Sequence, residues 1–113
     1  MEKVKWKMVR GDTLAFIIQV EGDGDAIDSV AFSCKTDTGA TEYIFKKTLN
    51  NGVTQLETNK FRVRVAPEDT ENLEAGTYAI DLQLGVNDDK ATPILGTLKI
   101  LEDVTREEGG ESE

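Results

Sequence analysis

The chain of 113 residues is long enough for one ordinary domain. Its 22 acidic and 13 basic residues give a formal net charge of −9, which excludes bulk-charge binding of nucleic-acid phosphates and a basic membrane-surface patch. The absence of histidine removes the commonest general base, the commonest transition-metal ligand and the usual pH switch.

The one cysteine, Cys34, cannot close an internal disulfide, so the fold is expected to hold by packing alone, as in a reducing compartment. Met1 to Trp6 lacks an apolar stretch behind its lysines and does not read as a signal peptide. No run reaches the length of a membrane helix.

A period of two dominates the chain. Val4, Trp6 and Met8 alternate with Lys3, Lys5 and Lys7 as a first strand. After Arg10-Gly11-Asp12, a second strand carries Leu14, Phe16, Ile18 and Val20 on one face. The Glu21-Gly22-Asp23-Gly24-Asp25 break precedes a third, with Val30, Phe32 and Cys34 inward. A short fourth strand holds Tyr43 and Phe45, or else Ile44, and ends in Lys46-Lys47, bounded by Asp37-Thr38-Gly39 and Asn50-Asn51-Gly52. Asn-Gly suits a tight turn with positive φ. Phe61, Val63 and Val65 alternate with Lys60, Arg62 and Arg64 in a fifth. A sixth carries Tyr78, Ile80, Leu82 and Leu84. Asn87-Asp88-Asp89-Lys90 links it as a hairpin to a seventh at Ile94 to Leu101, where Leu98 and Ile100 face inward. Half-buried strands about 8–12 residues apart predict an antiparallel sandwich or small barrel.

Pro67-Glu68-Asp69-Thr70-Glu71-Asn72-Leu73 breaks the alternation and predicts one helical turn, with proline in its first turn and acids at its positive N-terminal end. Leu73, Gly76 and Tyr78 then have the Leu-x-x-Gly-x-Tyr spacing of a tyrosine corner: the glycine permits a tight crossing, and the tyrosine hydroxyl reaches back to an upstream backbone group. The plainer reading makes Tyr78 only an inward residue of its strand. From Glu102 the chain has one apolar side chain, Val104, so residues 102–113 are expected to be an acidic disordered tail and residues 1–101 the folded domain. The tail holds six acids and one base, a net −5, which leaves −4 for the domain.

No constellation points to catalysis, and the chain is not expected to be an enzyme. Asp23-Gly24-Asp25-Ala26-Ile27-Asp28 fails the calcium-loop pattern because Ile27 stands where an oxygen ligand belongs. Arg10-Gly11-Asp12 spells a tripeptide read by adhesion receptors, but its glycine has an ordinary turn to make. Cys34 falls on the inward phase, the setting of an inert small apolar residue. No metal, cofactor or catalytic residue is assigned. Lys60, Arg62 and Arg64 line one outer strand face, joined by Lys46 and Lys47 if those strands pair. They form the candidate interface for an acidic partner, against the plainer reading that their charge only keeps a sheet face wet. The nearby Phe45 and Phe61 fall on the inward phase and present no stacking platform for nucleic acid.

Three pieces of the chain carry a family resemblance. Arg10-Gly11-Asp12-Thr13 precedes a strongly apolar strand, and Asp25-Ala26-Ile27-Asp28 precedes the third strand. The most specific piece is Pro67-Glu68-Asp69-Thr70-Glu71-Asn72-Leu73-Glu74-Ala75-Gly76-Thr77-Tyr78-Ala79-Ile80-Asp81, similar to a Pro-x-Asp-Thr-x-x-Leu-x-x-Gly-x-Tyr-x-x-Asp run. Gly96 and Val104-Thr105 add to it. On these pieces, over residues 4 to 105, the chain resembles the N-terminal immunoglobulin-like domain of phage upper baseplate proteins, found in phages and prophages of Gram-positive bacteria. The departure is length, since family members usually continue into coiled-coil or receptor-binding regions.

The resemblance implies a seven-stranded antiparallel immunoglobulin-like β-sandwich with one short helical turn before the sixth strand. It also implies a virion structural protein of the tail tip or baseplate, made in the bacterial cytoplasm. Such a module acts by contact with other tail or baseplate proteins, or with copies of itself, and not with nucleic acid or membrane. The alternative is a host-surface or carbohydrate-binding immunoglobulin-like module, with loop residues such as Asp88 and Asp89 at its site.

Overall fold

A computed structural model describes residues 2–20 and 26–104 of the chain. Its strands are β1 (Glu2–Val9), β2 (Leu14–Gln19), β3 (Ser29–Lys35), β4 (Phe45–Leu49), β5 (Gly52–Glu57), β6 (Lys60–Val65), β7 (Gly76–Val86) and β8 (Asp89–Leu101), with one helical turn, α1 (Pro67–Thr70), before β7. They hydrogen-bond in the order β1-β8-β7-β3-β4-β5-β6-β2. The two ends of that order curl toward each other: the rings of Trp6 on β1 and Phe16 on β2 meet edge to face with centroids 5.1 Å apart. The result is a nearly all-β, barrel-like sandwich with β1-β8-β7-β3-β4 in one layer and β5-β6-β2 in the other. The layers join at the short β4–β5 contact and stay unjoined between β1 and β2.

Alternation explains why the sheet has an inside. Along β6, Phe61, Val63 and Val65 are completely buried while Arg62 and Arg64 are exposed. Phe32 on β3 sits at the centre, with ring centroids of Trp6, Phe16 and Phe45 at 6.1, 5.1 and 5.9 Å. Each such side chain, fully buried, contributes about 1.5–3 kcal/mol by removal from water, and an edge-to-face pair adds about 0.5–1.5 kcal/mol. Val30, Cys34, Ile80, Leu82, Leu98 and Ile100 complete this interior.

Several sequence expectations are corrected. There are eight strands, not seven, because Asn50-Asn51-Gly52 leads into β5, whose single buried residue, Val53, gives almost no alternation to read. Gly52 has φ 97°, and a Cβ there would press on the Lys47 stem, so glycine is required at this corner. The sheet is not wholly antiparallel: β1 runs parallel to β8, pairing Glu2 with Ile94 through Val9 with Leu101. Gly96 makes that pairing possible, since a Cβ there would drive into the Val4 backbone. Val20, expected inside, is 39% exposed because β2 ends at Gln19. Tyr43 lies outside β4 and is exposed, and Ile44 is half-buried. Phe45 is the buried member of that trio. The last strand begins at Asp89, earlier than its apolar residues suggest. Ile27 and Val53 join the core, unanticipated.

Candidate functional site

The charged face expected from the sequence lies on the outside of the β5-β6-β2 layer. Because β6 alternates strictly, its buried phenylalanine and valines force Lys60, Arg62 and Arg64 outward. Register sets their neighbours: Arg64 lies opposite Ala15, Arg62 opposite Ile17 and Lys60 opposite Gln19 on β2, and Arg62 faces Thr54 on β5. Ile17 is 55% exposed and Leu56 44%, so apolar surface flanks the arginines. Lys60 Nζ lies 3.8 Å from Glu57, whose carboxylate is largely exposed, a contact of little energetic weight. No carboxylate among the described residues lies within ion-pair distance of Arg62 or Arg64. Both charges therefore remain available to an outside partner.

Lys46 and Lys47 do not extend this face. β5 comes between β4 and β6, and β4 alternates like its neighbours. Lys47 shares the inward phase of Phe45 and forms an ion pair of 2.7 Å with Asp69, both side chains being largely buried. The same Asp69 carboxylate accepts the Ala66 N–H at 2.8 Å, holding the start of α1. Lys46 points out of the opposite layer. There its Nζ and that of Lys35 lie 4.9 and 4.8 Å from the centre of the Tyr43 ring. These three residues border a shallow concavity of about 270 Å³ with Ser33, Asp81 and Gln83 in its lining.

The Arg10-Gly11-Asp12 turn is an internal joint. Arg10 Nε and Nη2 donate to Asp103 Oδ1 at 3.0 and 2.8 Å, and Nη1 donates to the Leu73 carbonyl at 3.1 Å. The Gly11 N–H donates at 2.9 Å to Oγ1 of Thr70, itself fully buried. The Arg10 side chain is 14% exposed, so an adhesion reading loses its arginine. Sequence reasoning missed both ends of this joint. No local feature of the sequence announces it, because Arg10 and Asp103 lie 93 residues apart.

Tyr78 Oη donates to the Glu74 carbonyl at 2.6 Å, in an exposed setting, and Leu73 packs against the core. A Cβ at Gly76 would meet nothing, so no close crossing demands glycine there; its positive φ of 157° is what favours it. The Tyr78 hydroxyl ionises less readily than usual, through partial burial and then the negative charge of Glu74. Burial pushes the Cys34 thiol from 9.0 up to about 12, which keeps it protonated and unreactive. Most of the acidic loop expected near the third strand, Glu21 to Asp25, lies outside the described residues, as do residues 105–113 of the acidic tail. Asp28 of that loop accepts the Asn87 N–H at 3.0 Å, tying it to the β7–β8 turn. Among the described residues no group of three or more acids or cysteines is placed to hold a metal ion, and no helix is long and apolar enough to cross a membrane.

No family model matches the chain, and no curated protein matches it. Among solved structures it is similar to a protein titled "putative glycoside hydrolase" from Bacteroides vulgatus, at 17% identity and a TM-score of 0.46. That match covers 87% of this chain and 16% of the other, so the chain spans a small part of the protein it matches.

Proposed function

We propose that the chain is an immunoglobulin-like docking module of a phage or prophage tail tip or baseplate, working by protein–protein contact through the outer face of β6. The observation that carries the docking reading is the pair Arg62 and Arg64, with no carboxylate among the described residues at ion-pair distance, flanked by exposed Ile17. Such a face gives an acidic partner both electrostatic steering and an apolar contact to desolvate. The tail assignment is supported by the resemblance of the Pro67 to Asp81 run. The Tyr78–Glu74 hydrogen bond is the contact a tyrosine corner makes, which supports the immunoglobulin-like reading.

Co-purification with the products of neighbouring tail genes tests this reading. Retention of a tail or baseplate protein, lost when Arg62→Glu and Arg64→Glu are combined, supports it. Equal retention by the reversed variant overturns the face, and a gene neighbourhood of secreted adhesins or glycosidases overturns the tail assignment. A second reading, a carbohydrate-binding module, is favoured by the concavity beside Tyr43, whose lining includes Ser33, Asp81 and Gln83. Glycan-array binding that falls with Tyr43→Ala but not with the arginine reversal would replace the first reading with the second.

A further inference from the structure

We propose that the free edge of β2 takes an extended segment of alternating apolar and acidic residues from a partner protein as an added strand. The proposal rests on the docking reading above and specifies how the partner is held.

The edge is open in a defined way. β2 stands last in the strand order and pairs with β6 alone. Just beyond its end, the Val20 N–H donates to the Asn59 carbonyl at 3.0 Å. In an antiparallel pair, hydrogen-bonded positions alternate. Leu14, Phe16 and Ile18 therefore direct their backbone groups at β6. Ala15, Ile17 and Gln19 direct theirs off the edge, where no described strand receives them. The sequence of β2, Leu14-Ala15-Phe16-Ile17-Ile18-Gln19, contains no charge and no proline, the usual means of blunting such an edge.

Charge selects the occupant. On the outer face Arg64 and Arg62 lie opposite Ala15 and Ile17. The outward side chains of an added strand would lie beyond β2, about 10 Å from the β6 backbone at roughly 4.8 Å per strand. An arginine and a glutamate reaching toward each other span that distance. A second copy of the chain fits less well: joining two β2 strands would bring the arginines of two β6 strands together with no acid on either β2 to offset them.

The test uses a fluorescent eight-residue peptide of alternating valine and glutamate against the full chain, read by anisotropy and by amide exchange. Binding is expected, with exchange slowed selectively at Ala15, Ile17 and Gln19. N-methylation of alternate peptide residues on the pairing side should weaken binding at least tenfold while leaving the protein untouched. Ile17→Pro should do the same, because the lost N–H points away from β6. The Arg62→Glu, Arg64→Glu double variant should lose the glutamate peptide and gain its valine–lysine counterpart. No binding, equal binding of the methylated peptide, protection at β1 instead, or a dimer joined through β2 would each overturn the proposal. Loss of tail-protein capture on arginine reversal, with no effect of Ile17→Pro, would leave the docking face standing and remove the added strand. Indifference to both changes would remove both.

Discussion

β1 and β2 are the two ends of the same sheet, joined by one turn, and they treat their exposed edges differently. The Arg10 N–H donates to the Leu101 carbonyl, so by the parallel pattern the even residues of β1 bond to β8 and Lys3, Lys5 and Lys7 present their backbone groups outward. On β1 three of these positions carry a lysine that repels a chance partner, and at the fourth, Val9, the carbonyl is taken by the Asp12 N–H. On β2 the corresponding positions carry Ala15, Ile17 and Gln19. Among the described residues one edge is defended and the other is bare, beside two arginines with no carboxylate at ion-pair distance. A sheet whose only need was solubility would guard both, and this contrast is the ground for proposing the β2 edge as the docking edge.

That contrast can be broken or sharpened, and the broadest perturbation acts on the core beneath both edges. The Cys34 thiol releases its proton at pH 9.0 when unfolded and at about 12 when folded. Between those values the unfolded state binds fewer protons, so stability is fully present below pH 9 and falls as pH rises toward 12, by up to a few kcal/mol. Tyr78, also raised, adds to the same slope above pH 10.0. Urea midpoints measured across this window should fall, less steeply in Cys34→Ala, and amide exchange at β1 and β2 should rise together.

Gly96→Val separates the edges. The new side chain collides with the Val4 backbone, so β1 should detach at a cost of about 3 kcal/mol, the upper range for overpacking. Amide exchange should accelerate along β1 and Trp6 fluorescence should shift red, while β2 keeps its protection. Arg10→Ala acts on the joint between the edges. It removes the Asp103 and Leu73 contacts and should cost about 1–2 kcal/mol in chemical denaturation. Tyr78→Phe removes an exposed hydrogen bond and should cost about 0.5–1 kcal/mol. Ile17→Lys gives β2 the device that β1 already has. Stability should stay within about 0.5 kcal/mol, and the valine–glutamate peptide should bind more weakly in the anisotropy measurement.

How much could be read from the sequence depended on whether a residue's role is set locally. The β6 run Lys60-Phe61-Arg62-Val63-Arg64-Val65 declares its inside and outside by alternation, and the candidate face was legible from it. The turn at Pro67–Thr70 was legible because proline and acids have intrinsic reasons to begin a helix. β5 was not, since Gly52-Val53-Thr54-Gln55-Leu56-Glu57 buries one side chain and its strand form depends on pairing with β6. The inward turn of Lys47 was half legible: it shares the phase of Phe45, but its partner Asp69 comes from another element. The Arg10–Asp103 joint spans 93 residues of sequence and leaves no local trace.

The sequence alone determined that this chain forms short, half-buried strands with a helical turn, because two-residue periodicity, glycine, asparagine and proline act on the backbone within a few residues. It also determined which β6 charges face outward. Only the tertiary structure decided which strands neighbour which, and hence that β1 runs parallel to β8 and that the sheet ends at a guarded edge and a bare one. An edge is a strand without a neighbour, and a neighbour is supplied by residues distant in the chain.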